Sequence, residues 1–265
     1  IKNTLNLTNI DIFFIKIFFQ FNKRFFNKFI HFGNFYVNTK ISLYELINTI
    51  SKPSNVLNKI SIIEGWSKKQ LNLELSKYFN DFKNIPYENI IADTYFFEIK
   101  SDHKHLLKKL MSIRDQFFNK YKKNKIFEKF NINEIMIIGS LIEKEGLDEE
   151  DKSKIASVIF NRIDINMRLQ IDATILYSLT DGDYDLGRKL LLSDLKVDHP
   201  FNTYLNYGLP PKPISYVGKK TLDIIFENKK TDFLFYFFDN SLNKHIFSKT
   251  YEEHKNKLNE YRNKK

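Results

Sequence analysis

The chain has 265 residues and a net charge of +10, with 26 Phe and 14 Tyr but only 8 Gly and 6 Pro. That apolar mass can build a sizeable core in one or two domains, and it excludes a disordered or low-complexity chain. There is no cysteine, so disulfides, thiolate nucleophiles and cysteine metal sites are excluded.

Residues 1–30 are dense in Phe with interspersed Lys and Asn and follow no single period, so a strand or a short helix pair is expected. Their most apolar run, residues 10–19, is interrupted by Asp11 and Lys16 and is too short to span a bilayer. Because the chain starts at Ile1, any signal or anchor is expected upstream of it. Phe35, Tyr36 and Val37 suggest a strand. Ser42 can cap a helix to Ile50 with Leu43, Leu46, Ile47 and Ile50 on one face, and residues 51–54 break it. Residues 56–63 read as a second strand, so this region is a small α/β module.

After the turn Glu64-Gly65-Trp66, Ser67 can cap a helix to about Phe79. Residues 90–97 look extended. Residues 102–130 carry Leu106, Leu107, Leu110, Ile113, Phe117 and Phe118 at helical spacing, with lysines outside on a solvated face. His103 and His105 sit two apart and point away from each other, so they are not expected to act as ligands.

The chemistry concentrates in residues 131–177. On a helix over residues 133–145, Ile138, Leu141, Ile142 and Glu145 fall at i, i+3, i+4 and i+7, so Glu145 continues an apolar stripe. Glu143 turns to the opposite side with Gly139 and Ser140, which makes it the natural comparison residue, one whose removal should cost much less. Gly146 is a natural C-cap, and it places Glu145 in the last turn. Desolvation and the negative helix end both disfavour the Glu145 anion, which is what a general acid near neutral pH requires. The alternative is an exposed glutamate at a frayed helix end.

Asp148, Glu149, Glu150 and Asp151 cap and charge a second helix to Ile163, with Ile155, Val158, Ile159 and Arg162 along one side. Residues 168–172 alternate like a strand and put Arg168, Gln170 and Asp172 on one face, a polar row suited to sugar hydroxyls or simply to water. The loop 202–214 offers Asn202, Tyr204 and Tyr207, stiffened by Pro210, Pro211 and Pro213, and reads as a groove wall or as a loop tied down for stability. A helix over 219–227, a hairpin of strands 233–238 and 245–247, and a helix over 251–262 follow. His245 is either a substrate contact or a structural histidine.

Several motifs resemble a known family. Ile142-Glu143-Lys144-Glu145, Ala156-Ser157-Val158-Ile159-Phe160-Asn161-Arg162, and Met167-Arg168-Leu169-Gln170-Ile171-Asp172-Ala173-Thr174-Ile175-Leu176-Tyr177 are similar to the central signature of the YceG-like endolytic murein transglycosylases (MltG). So are Phe201-Asn202-Thr203-Tyr204, Gly208-Leu209-Pro210-Pro211-Lys212-Pro213-Ile214, residues 232–239 and 245–250, and, upstream, Glu64-Gly65-Trp66 and Ala92-Asp93-Thr94-Tyr95. The resemblance spans roughly residues 31–255, with Ala173 where the family often has Pro and Phe201 where it usually has Tyr.

The resemblance implies an α+β chain, with a LysM-like α/β module within residues 1–80 and a mixed α/β YceG-like catalytic domain over 81–265. It implies a lyase that cuts the MurNAc–GlcNAc bond of nascent glycan strands internally, leaves 1,6-anhydro-MurNAc ends and so terminates elongation. The family's essential glutamate falls on Glu145, with Gln170, Asp172, Asn202, Tyr204 and His245 as substrate-binding candidates. No metal and no cofactor is expected. The partners implied are peptidoglycan glycan strands and cell-wall synthases, with no nucleic acid. A single-pass anchor upstream of Ile1 would hold the catalytic domain on the outer, periplasmic face of the inner (plasma) membrane. The competing reading is a non-catalytic LysM-type peptidoglycan-binding protein.

Overall fold

The computed structural model describes residues 9–26, 31, 35–38, 40–53, 56–99 and 101–263. Helices and short two-stranded sheets mix along the chain, an α+β arrangement. It divides into two compact units, Ile1–Ile60 with Tyr95–Leu106 and Ser61–Thr94 with Leu107–Lys265.

In the first unit, residues expected as a strand or helix pair form one helix, α1 (Asn9–Phe26), which exposes Ile10, Phe13, Phe14, Ile17 and Phe21; the rest of that expectation lies outside the described residues. Among the described residues no helix is long and apolar enough to cross a membrane. Phe35–Val37 is not in a strand. Helix α2 (Leu43–Ile50) begins in a capping box, Ser42 accepting from the Glu45 N–H while Glu45 reaches back, and buries Leu46, Ile47 and Ile50. Strand β1 (Leu57–Ser61) pairs with the later β2 (Thr94–Glu98).

The second unit carries α3 (Lys68–Leu75), capped by Ser67 and Gln70 in the same reciprocal way. Helix α4 (His103–Lys120), whose residues up to Leu106 belong to the first unit, stops ten residues before the expected end. A turn follows, closed by the Asn124 N–H on Tyr121 O at 2.7 Å, and Asn124 caps a short 3₁₀ helix; the Tyr121 ring stacks on Phe226 at 4.0 Å, and its hydroxyl donates to Asp223 at 2.6 Å. Helix α5 (Ile132–Glu145) is buried along its middle from Ile135 to Ile142, so it is a central core helix and not an amphipathic one. Around it stand α6 (Glu149–Asp164), α7 (Asp172–Thr180) and α8 (Lys219–Glu227).

The face of α5 expected to be polar lies under residues 214–218. The Ile214 N–H donates to Ser140 Oγ at 3.0 Å, and a Cβ on Gly139 would sit 2.6 Å from Val217 Cγ1. That covering segment is in turn held by the Glu64-Gly65-Trp66 turn, through Gly65 N–H to Tyr216 O at 2.8 Å and Tyr216 N–H to Trp66 O at 3.1 Å. Strands β3 (Phe235–Asp239) and β4 (Lys244–Ser248) pair antiparallel, with Tyr236 opposite Phe247 and Phe238 opposite His245. Since side chains alternate, these four share one face, while Phe235 and Phe237 meet His254 of α9 (Tyr251–Asn263) on the other.

Candidate active site

Glu145 ends α5, half-buried. Burial pushes its carboxyl up to about 7, helped by the nearby Asp172 charge; the Ala173 N–H, His245 and Tyr236 pull the other way. The Tyr236 hydroxyl donates to Glu145 Oε2 at 3.4 Å. No cation pairs with Glu145 among the described salt bridges, so a proton is what neutralises it. The start of α7 opposes the end of α5 here, and the Ala173 N–H brings a positive helix end against the carboxylate.

Glu143, two residues back, is enclosed more completely, with a side chain 1% exposed. It differs in what it meets. Glu143 Oε2 accepts from Lys152 of α6, and Oε1 accepts from the Gly218 N–H at 2.9 Å. Glu143 is therefore a clamp joining α5, α6 and the start of α8, and not the residue on an open polar face that helical phase suggested. Helical phase did separate the two carboxylates, but the chemical difference between them is counter-charge, not burial. Gly146 is the C-cap of α5, as expected, with its N–H donating to Ile142 O, but not through a left-handed backbone. Its φ of −80° needs no glycine, but a Cβ there would lie 2.3 Å from Lys152 Cγ.

Residues 168–171 form no strand, because other groups take their backbone: Arg162 Nη1 donates to Leu169 O at 2.6 Å, Gln170 N–H donates to Thr203 O at 3.1 Å, and Ile171 N–H donates to Thr203 Oγ1 at 2.9 Å. Gln170 has a φ of +50°, left-handed backbone that breaks the strand geometry and is costly for a side chain of this kind. Its side chain is exposed, as is that of Asp172. Tyr204 Oη donates to Asp172 Oδ1 at 2.5 Å; burial and this bond hold the phenol well above its ordinary range, so it stays a donor.

Asn202 does not reach the surface. It is fully buried, and its amide donates to Leu195 O at 3.0 Å and Val197 O at 2.7 Å, while Oδ1 accepts from the Tyr204 N–H. It is a brace that orients Tyr204 instead of a surface contact. His245 is enclosed too: Nδ1 lies 2.9 Å from Asp151 Oδ2, with side chains 6% and 10% exposed. Asp151 also accepts from the Leu147 N–H at 3.0 Å, so this pair ties β4 to the α5–α6 turn directly after Glu145.

Two residues of the cluster were not singled out from the sequence. Tyr236 is the only hydroxylated ring in the run Phe233-Leu234-Phe235-Tyr236-Phe237-Phe238, and a buried Tyr needs a partner for its hydroxyl, which is the signal that could have marked it. Arg162 donates through Nε to Leu234 O at 2.7 Å as well as to Leu169 O, so one buried guanidinium fixes both the approach to Tyr236 and the segment leading to Asp172.

A protonatable, uncompensated carboxyl flanked by a phenol and a second carboxylate is the arrangement this cluster offers, and its residues lie within a stretch that matches the YceG-like family model over residues 4–260. The chain belongs to the YceG-like family. It is 35% identical over 158 residues to an endolytic murein transglycosylase of Bacillus subtilis (strain 168), a match covering 60% of this chain and 41% of that one. An endolytic murein transglycosylase of Streptococcus pneumoniae is 28% identical over 177 residues, covering 65% of this chain and 31% of its own. The chain thus spans less than half the length of the curated relatives it matches. A crystal structure of a yceG-like protein from Listeria monocytogenes superposes with a TM-score of 0.64 at 25% identity, covering 91% of this chain and 89% of that one.

Proposed function

We propose that this protein is an endolytic peptidoglycan lytic transglycosylase whose acid–base group is Glu145. The observation that carries the reading is a carboxyl held near pKa 7 by burial and by Asp172, at the end of a buried core helix, with no ion pair to it among the described residues. Glu145 gives its proton to the oxygen between MurNAc and GlcNAc as the C1–O bond breaks, and the electron pair leaves with that oxygen. Asp172 stabilises the oxocarbenium-like carbon. The C6 hydroxyl of the same sugar closes on C1 and returns its proton to the Glu145 carboxylate, which leaves a 1,6-anhydro-MurNAc end and needs no water.

The relatives' printed names support wall glycan as substrate. Internal cuts of this kind end strand growth, and the work is done on the outer face of the plasma membrane beside the cell-wall synthases. The LysM-like part before about residue 80 positions the strand. The test is digestion of purified sacculi followed by mass spectrometry of the products. Anhydro ends that vanish in Glu145→Gln support the reading. Reducing ends would make the reaction a hydrolysis, and binding without any cleavage would leave a wall-binding protein.

A further inference from the structure

The segment leading into α7 is tied to the turn at 203–207. Asp172, close enough to Glu145 to raise its pKa, is bridged to Tyr204; two residues back the Gln170 N–H donates to Thr203 O, and four residues back the Arg168 guanidinium lies 4.5 Å from the centroid of the Tyr207 ring. Tyr207 is 56% exposed and Gln170 is exposed. Extended chain rises about 3.3 Å per residue, so Arg168 lies at most about 13 Å from Asp172 along this row. Two other guanidinia are committed: Arg188 forks onto Asp194 at 2.6 and 2.9 Å, and Arg162 is buried on carbonyl oxygens. Among the described residues Arg168 has an aromatic face beneath it and no carboxylate partner.

We propose that Arg168, laid on Tyr207, is a subsite for a carboxylate carried by the glycan strand. It rests on the proposed function and adds to it the part of the substrate that is read. A guanidinium resting on a ring keeps its N–H edge free for a two-pronged bond to a carboxylate, and Tyr207 covers the neighbouring apolar sugar face. Two groups on such strands carry this chemistry: the acidic residues of the stem peptide, and the lactyl carboxylate left when the stem is removed.

Binding is measured on the full chain carrying Glu145→Gln, so that strands are held and not cut, with and without Arg168→Gln. The probes are soluble peptide-bearing strands, the same strands stripped of peptide by an amidase, and strands whose carboxylates have been converted to amides. Loss of one charge-assisted pair should weaken binding to a carboxylate-bearing probe about tenfold. The amide-converted strands should bind both proteins alike, at the weaker level. A loss confined to peptide-bearing strands assigns the stem, and a loss confined to stripped strands assigns the lactyl group. Arg168→Lys, which keeps the charge but not the fork, should fall between. Equal binding with and without Arg168, or an equal loss on the amide-converted strands, overturns the subsite even if the unmutated protein still cleaves sacculi. Arg168-dependent binding by a protein that cleaves nothing would leave the subsite standing and remove the catalytic reading.

Discussion

At the scale of single residues, Glu143 and Glu145 show why an enclosed carboxylate is not by itself a functional one. Glu143 has Lys152 and an N–H as partners and is structural; Glu145 has a phenol, an N–H and a second carboxylate beside it, and its carboxyl is pushed up to about 7. Glu145→Gln should lower release of cleaved muropeptides by a factor of about 10² to 10⁴, the usual worth of a positioned general acid. Its effect on stability should have the opposite sign. The folded state holds the Glu145 proton up to about pH 7, above the ordinary carboxylate range, so the wild type loses stability as pH rises from about 4.5 to 7. The neutral amide escapes this, and thermal unfolding at pH 8 should find Glu145→Gln more stable by about 1–3 kcal/mol, with no difference at pH 4. A variant less stable at both pH values would mean that the carboxyl is not held protonated. Activity of the wild type should hold at acid pH and fall as pH passes about 7, where the folded protein loses the acid. Glu143→Gln should instead unfold early, by about 3 kcal/mol, because it strands the mostly enclosed Lys152 ammonium without its counter-charge.

At the scale of elements, the site depends on how closely α6 and residues 214–218 approach α5. Gly139→Ala drives a Cβ into Val217 and should cost about 1–3 kcal/mol in denaturant unfolding. Val217→Ala in the same chain should recover part of that loss, and no recovery would place the strain elsewhere. Elements with a local signal were legible in the sequence: the capping boxes of α2 and α3, helix α8 over 219–227, and the hairpin around the 239–243 turn, where Asp239 Oδ1 accepts from the Ser241 and Leu242 N–H groups. Those decided by distant partners were not. Residues 168–171 alternate apolar and polar as a strand would, and their burial alternates too, but Arg162 and Thr203 claim the hydrogen bonds a neighbouring strand would have made. Helix α4 carries no Gly or Pro at its end, and the turn at 121–123 with the Asn124 cap of the next short helix is a weak local signal. The same limit applies within the site. Local phase distinguishes Glu145 from Glu143 but places Glu143 on a polar face that the structure covers, and Tyr236, the inward role of Asn202 and the His245–Asp151 pair depend on contacts that no window of sequence contains.

At the scale of the whole molecule, the family could be read from motif order, while composition carried one physical statement of its own, the net charge of +10. Its lysines are spread over many elements, so it supplies a broad field instead of a binding patch, and such a field acts on encounter with an anionic polymer more than on the fit of any one subsite. Wall strands carry carboxylates along their length, and surface attraction to them is screened over about 10 Å at 0.1 M salt. Association of the Glu145→Gln chain with purified sacculi should therefore weaken at least about threefold between 0.05 and 0.5 M salt, mostly through a slower on-rate. The contribution of Arg168 should persist across that range, because a two-pronged contact at short distance is less screened than the diffuse field. Surface plasmon resonance on immobilised strands separates the two: salt should move the on-rate in both proteins, and Arg168→Gln should move the off-rate. Salt-independent association would mean that uncharged sugar contacts carry the encounter as well as the fit, and that the basic surface reflects composition alone.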